Sequence, residues 1–291
     1  MKNLPKHPNL QFLLREAKAM KSAHRSGDTS ICGIVGHFDI SLHGLSTQEI
    51  FDTRFSILDA QRVVARQYGF SSWTRLKKYV QRCWIGRNPA DGRLRHSILS
   101  RYEELNTLVK EYKSKKGDYK SKYQRYQELS VDTDFLNRAY DHHGWPGPDV
   151  VGSDCMEALT YVASNAVYDA DFQNRYTQLM GESLSAGGCC EYWYAQLRDR
   201  YLVLSNKPTI YGSSFGAYLD DDNNFKLLKY DVVDPENLNK RRAKVGLDSI
   251  EHTQRQLAKE ARENQWNLHT YEQCMNEQKQ LSIDGGYLRQ Q

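Results

Sequence analysis

Four polar residues in the second half of the chain have the types that chemistry on an anionic substrate requires: His143, Asp199, Arg200 and Tyr211. An imidazole can act as a general base near neutral pH, and a guanidinium can hold a phosphate or carboxylate through paired hydrogen bonds. Asp199 would orient either group, and Tyr211 would donate to a developing anion. These four are the candidate catalytic residues of a hydrolase-like enzyme. The candidate substrate-binding residues are Trp145, Asn165 and Ser214.

The same residues have a structural explanation. Asp199 and Arg200 can form an ion pair, Trp145-Pro146 a turn with a buried indole, and Tyr211-Gly212 a close approach of the backbone. Because perturbed polar groups also occur in structural networks, residue type alone favours this explanation. The six cysteines show no C-x-x-C spacing and no histidine pair that would complete a zinc site. The sequence therefore predicts neither a metal nor a cofactor.

A Lys- and Tyr-rich run up to residue 125 is a candidate nucleic-acid site. Basic side chains neutralise phosphates, and tyrosine rings stack on unpaired bases. The basic residues concerned are Lys113, Lys115, Lys116, Lys120, Lys122 and Arg125. The alternative, which the helical spacing of Tyr119, Tyr123 and Tyr126 favours, is a helix that docks these rings on a neighbouring domain and leaves the lysines in solvent.

Composition restricts the class of protein. The 291 residues have room for two domains, and the apolar share of 39% with a mean hydropathy of −0.75 predicts a polar protein with small cores. No run approaches the ~18 consecutive apolar residues that would span a bilayer. A net charge of +4 does not by itself indicate nucleic acid. The scattered cysteines favour a reducing, cytoplasmic compartment.

Hydrophobic spacing predicts the elements that would position these residues. Helices are predicted over residues 8–25, from Thr47 behind a Ser46–Glu49 capping box, over 57–68 with Gly69 as terminator, and over 72–82. The last two resemble a helix-turn-helix in outline. However, Arg75 and Lys78 occupy positions where that motif needs buried side chains, so the prediction is a helical hairpin with a basic solvent face.

The whole chain is predicted to be mainly α-helical. A helical N-terminal module covers residues 1–82, a charged helical connector 83–130, an α-helical domain 131–265 and a polar tail 266–291. Within the third segment, Asp169 and Asp234 are predicted helix caps, and a small β element is expected near residues 209–231.

The first segment resembles a known module. Residues 59–77 follow the pattern DAQxxxAxxYGFxSWxxLK, which is similar to the helical module that precedes ankyrin repeats in many bacterial proteins. The resemblance covers roughly residues 1–82 and implies an interaction or scaffold role without chemistry. No T-P-L-H-x-A element and no 33-residue self-similarity follow, so the usual partner-binding repeats are not predicted here.

The third segment resembles a bacterial domain-of-unknown-function family, number six-six-two-four, over about 120 residues. The motifs that carry the resemblance include His143-Gly144-Trp145-Pro146, Asp199-Arg200, Tyr211-Gly212 and Asp234-Pro235-Glu236-Asn237. The chain departs from the family where a Gln-His-Ala is replaced by Ser164-Asn165-Ala166. An amide does not titrate near neutral pH, so the resemblance implies a lost or altered activity.

Three hypotheses of function follow. The first is a cytoplasmic interaction or regulatory protein, with a protein partner, whose second domain has lost part of its family's polar site. The second is a hydrolase-like enzyme that acts on an anionic substrate through His143 and Arg200. The third is nucleic-acid binding through the connector.

Overall fold

The structure is a computed structural model. It describes residues 1–5, 7–113, 126–130, 133–222, 224–228, 230–263 and 269–288. The N-terminal helices are α1 Leu10–Arg25, α2 Cys32–Phe38, α3 Thr47–Asp52, α4 Ile57–Gln67, α5 Trp73–Ile85 and α6 Gly92–Lys113. Helix α3 begins at the predicted capping box, in which the Ser46 N–H donates to the Glu49 carboxylate at 2.7 Å. Helix α2 lies between the helices predicted over 8–25 and from Thr47, in a segment for which the sequence analysis predicted no helix.

Helices also dominate the second half of the described chain. They are α7 Asp134–His143, α8 Pro148–Val151, α9 Met156–Asn165, α10 Ala170–Ser183, α11 Glu191–Leu204, α12 Leu238–Lys244, α13 Ile250–Glu263 and α14 Tyr271–Asp284. Asp169 caps α10 as predicted, accepting the Phe172 N–H at 2.8 Å. The prediction that the Asp234 side chain caps a helix was wrong, because this carboxylate accepts from the side chains of Asn237 and Arg241.

The β element is a small three-stranded sheet. Strand β1, Gly216–Leu219, pairs antiparallel with β2, Phe225–Leu228, in a register that places Gly216 opposite Leu228. The two-residue strand β3, His269–Thr270, lies parallel to the other edge of β1. The predicted fold class, mainly α with a small β element, is confirmed.

A continuous hydrophobic core crosses the boundaries between the predicted segments. Fully buried side chains from α1, α5, α9 and α10 belong to the same cluster, for example Leu13, Leu76, Leu159 and Tyr176. Polar contacts also join the two halves. Arg75 donates to the buried Glu191 at 2.5 Å, and Lys78 donates to the Ser185 carbonyl at 2.8 Å. The basic face of α5, predicted to face solvent, therefore docks in part on the second half.

No helix in the described part of the chain is long and apolar enough to cross a bilayer.

Candidate functional site: a cavity beside α11

A cavity of about 740 Å³ lies between α9, α11, the β1–β2 hairpin and α14. This volume is within the range of small-molecule binding sites. Aromatic rings make up much of its lining: Tyr126, Tyr161, Tyr168, Trp193, Phe215 and Tyr230. Two of these rings rest on further rings, since Tyr161 packs edge-on against Tyr102 at 5.2 Å and Trp193 against Tyr192 at 5.1 Å. Such packing restricts the orientation of the lining rings.

One face of α11 forms the central wall of the cavity. The lining residues of this helix are Trp193, Gln196, Leu197, Arg200, Val203 and Leu204. Their spacing of three and four residues places them in one stripe along a helix. Asp199 is not in this stripe and lies among buried residues on another side of the helix. Asp199 and Arg200 are adjacent in the sequence but therefore lie in different environments.

Arg200 is the cation of this wall. It is half-buried, and no residue in the described ranges forms a hydrogen bond or ion pair with it. Burial raises the pKa of both Tyr161 and Tyr230 to about 12, and the positive charge of Arg200 opposes that rise. The guanidinium is therefore close enough to both rings to act on them electrostatically. The structural ion pair between Asp199 and Arg200 that the sequence allowed is not formed.

Two of the predicted substrate-binding residues line the same cavity. Asn165 is 7% exposed, and its polar atoms are already engaged: its Oδ1 accepts the Tyr126 hydroxyl at 3.0 Å, and its Nδ2 donates to the Tyr161 carbonyl at 2.8 Å. Ser214, two residues before β1, is half-buried in the same lining. The structure thus brings Asn165, Arg200 and Ser214 together in one lining, where Asn165 holds the hydroxyl of Tyr126.

Asp199, on α11, positions the segment that leads into the cavity wall. Its buried carboxylate accepts the backbone N–H groups of Ile210, Tyr211 and Ser213 at 2.8 to 3.1 Å, and the Ser213 hydroxyl at 2.8 Å. A carboxylate that accepts several N–H groups replaces the water it lost on burial. This network holds residues 210–213 against α11, and the chain enters the cavity wall at Ser213, followed by Ser214 and Phe215.

Arg242 holds the same turn from its carbonyl side, and the sequence analysis did not identify it as a site residue. Its side chain is 1% exposed and donates to the carbonyls of Tyr211 at 2.7 Å, Gly212 at 2.8 Å and Asp248 at 2.6 Å. Burial lowers the pKa of Arg242 to about 10, and the negative charge of Asp199 opposes this shift. The signal in the sequence that could have pointed to Arg242 is its place in a pair of adjacent arginines, Arg241-Arg242.

Tyr211 lies behind the cavity wall. Its ring packs against a small cluster that contains Ala195, Val245 and Leu247. Burial raises the pKa of its hydroxyl to about 12, so the phenol stays protonated at neutral pH. Its backbone N–H and carbonyl are bound by Asp199 and Arg242. Tyr211 is not among the residues that line the cavity.

His143 and Trp145 lie away from this cavity. His143, at the end of α7, forms a hydrogen bond with the Asp91 carboxylate through its Nε2 at 3.2 Å. The Trp145 indole is 6% exposed, donates to the Gly188 carbonyl at 2.9 Å and packs against Tyr140 and Tyr176. Neither residue lines the cavity that contains Arg200. The four candidate catalytic residues are thus not brought to one pocket in the described structure.

The candidate nucleic-acid residues Lys115, Lys116, Lys120, Lys122 and Arg125 lie outside the described residues. Lys113 is the last residue of α6, and its side chain is likewise not described. Within the described ranges, no group of three or more His, Cys, Asp or Glu side chains is arranged to hold a metal ion.

Comparison with known proteins adds no family to this description. No family model matches the chain, and no match was found among curated proteins or solved structures.

Proposed function

We propose that this chain is a regulatory protein that binds a small organic molecule in the cavity beside α11. The observation that carries the proposal is the half-buried Arg200, which has no described partner and lines a cavity of about 740 Å³ rich in aromatic rings. A largely apolar cavity with a few convergent polar groups is the usual form of a small-molecule site.

The lining favours binding over catalysis. A hydrolase needs a general base or nucleophile beside the substrate. The described lining residues include no histidine, and burial raises the pKa of Tyr161 and Tyr230 to about 12, so both stay neutral. The Ser213 hydroxyl donates to Asp199, the Ser164 hydroxyl to the Tyr161 carbonyl and the Cys274 thiol to the Ala217 carbonyl, and the carboxylate of the lining, Glu277, is exposed. The alternative of a hydrolase that uses His143 together with Arg200 has no shared pocket to support it.

A protein partner remains part of this proposal. The resemblance of the first 82 residues to an interaction module motivates it. The structure adds exposed apolar side chains at the end of α5, where Trp84 is 58% and Ile85 is 68% exposed. The six cysteines are unpaired, which supports placing the protein in a reducing cytoplasm.

A neutral fluorescent probe tests the binding function. We expect 1-pyrenebutanol to bind the wild-type protein saturably with one site. The variant Ser214→Trp, which fills the cavity from the hairpin side, should weaken this binding at least tenfold. Ser22→Trp adds the same side chain at an exposed position on α1 and should bind like wild type. Absence of saturable binding, or equal binding by Ser214→Trp, would refute the proposal.

A further inference from the structure

The ligand class follows from the charge and the ring content of the cavity, and this inference rests on the proposed binding function. We infer that the cavity takes an aromatic monocarboxylate, with the carboxylate on Arg200 and the flat apolar body between the lining rings.

The charged side chains of the lining favour a ligand with a single negative charge. Among the described lining residues the charged side chains are Arg200 and Glu277. Glu277 is exposed, whereas Arg200 is half-buried, so the cation lies deeper. A planar guanidinium pairs with one carboxylate through two parallel hydrogen bonds. A polyphosphate would need further cations or a series of free backbone N–H groups, and the backbone N–H groups of the nearby turn at Ile210, Tyr211 and Ser213 are taken by Asp199.

The partial burial of Arg200 also favours the binding of a carboxylate. A guanidinium in a protein stays protonated, and Arg200 is half-buried with no hydrogen-bond or ion-pair partner among the described residues, which costs stability that a bound carboxylate would recover. The neighbouring tyrosines cannot supply the missing negative charge, because burial keeps their hydroxyls protonated. The Tyr230 hydroxyl already donates to Gln278 at 2.6 Å.

The aromatic rings of the lining favour a ligand with a planar apolar part. Trp193 and Tyr161 lie on α11 and α9, Phe215 and Tyr230 flank the β1–β2 hairpin, and Tyr126 is fixed by its hydrogen bond to Asn165. Aromatic side chains offer stacked and edge-on contacts that a planar ligand uses better than a flexible alkyl chain. Rings held by their neighbours also lose less conformational entropy when a ligand binds.

Matched probes test the carboxylate. We expect 1-pyrenebutanoate to bind wild-type protein at least about tenfold more tightly than 1-pyrenebutanol, the range of a charge-assisted hydrogen bond in a partly buried site. Arg200→Gln should abolish this preference, measured as the ratio of the two probe affinities on the same variant. Arg200→Lys should keep part of it, since it retains the charge without the planar fork.

A control separates the site from the general charge of the protein. Arg198→Gln removes an equal charge two residues away on the same helix, at a residue outside the lining that stacks on Tyr201, and it should keep the wild-type preference. Circular dichroism confirms that each variant is folded. If the alcohol binds but wild type shows no preference for the carboxylate, or if Arg200→Gln retains the preference, this inference fails while the binding function stands. If the alcohol does not bind, the binding function itself fails.

Competition distinguishes the ligand body and the anion. We expect 2-naphthoate to displace 1-pyrenebutanoate at a lower concentration than dodecanoate or 2-naphthyl phosphate does. Stronger displacement by dodecanoate would overturn the aromatic body, and stronger displacement by the phosphate would overturn the carboxylate.

Discussion

Asp199 and Arg242 bind opposite backbone groups of the same residue, Tyr211. The Asp199 carboxylate accepts the Tyr211 N–H at 3.1 Å, and the Arg242 guanidinium donates to the Tyr211 carbonyl at 2.7 Å. The two side chains are 0% and 1% exposed. Their opposite charges thus fix the turn over residues 210–213, and through it the wall of the cavity that carries Ser214 and Phe215.

Replacing Asp199 should destabilise the protein. In Asp199→Asn, the new NH2 group faces backbone N–H donors that have lost an acceptor, so we expect the free energy of unfolding to fall by about 2–4 kcal/mol. Urea denaturation followed by circular dichroism measures this change. Asp171→Asn, at an exposed position in the first turn of α10, is the matched control and should change stability by less than about 0.5 kcal/mol.

Replacing Arg242 should have a comparable effect from the other side of the turn. Arg242→Met leaves the carbonyls of Tyr211, Gly212 and Asp248 without their donor, and we expect a loss of about 3 kcal/mol or more. Lys240→Met, at an exposed position on α12, is the control. Because Asp199 and Arg242 act on one turn, the double variant should lose less than the sum of the single losses. Strict additivity would contradict the shared role.

Stability should fall at alkaline pH. Burial raises the pKa of Tyr161, Tyr211 and Tyr230 from 10.0 to about 12. Between these values the folded chain keeps protons that the unfolded chain releases, so the free energy of unfolding decreases as the pH rises. Urea midpoints measured at intervals from about pH 9 to 11.5 follow this decrease. Tyr211→Phe should flatten the slope, whereas Tyr271→Phe, at a half-exposed tyrosine, should not.

The cysteine thiols should fall into two classes of reactivity toward a maleimide. Burial raises the pKa of Cys83, Cys155 and Cys190 from 9.0 to about 12, which lowers the reactive thiolate fraction roughly a thousandfold. Cys32 and Cys274 are partly exposed and should react first with a maleimide, as mass spectrometry of labelled peptides would show. Cys274 lines the cavity, so 1-pyrenebutanol should slow its labelling and leave that of Cys32 unchanged. If 1-pyrenebutanol slowed the labelling of Cys32 and Cys274 equally, this result would argue against binding in the cavity.

Nucleic-acid binding through the connector stays a prediction with its own test. It requires an affinity that falls steeply with salt concentration, because binding releases counterions from the phosphates. Reversing the charge of Lys115, Lys116 and Lys120 together should abolish a gel shift with single-stranded RNA or DNA. A shift that the triple variant retains would dispose of this hypothesis.

The sequence by itself determined the local elements. Capping residues and apolar periodicity act over a few neighbouring positions, so the box at Ser46 and the cap at Asp169 were readable directly, whereas the box at Ser56 was not identified. Residue type marked Arg200, and departures from the pattern of the resembled family marked Asn165 and Ser214, although neither showed that the three share a cavity.

Only the tertiary structure decided what the polar residues do. Asp199 and Arg200 are adjacent in sequence, yet successive positions on a helix point about 100° apart, so one enters a buried network and the other a cavity. The partners of Asp199 lie 11 to 14 residues away, and those of Arg242 up to 31 residues away. Such pairings depend on how helices and turns pack against one another, and no local pattern in a single sequence encodes that packing.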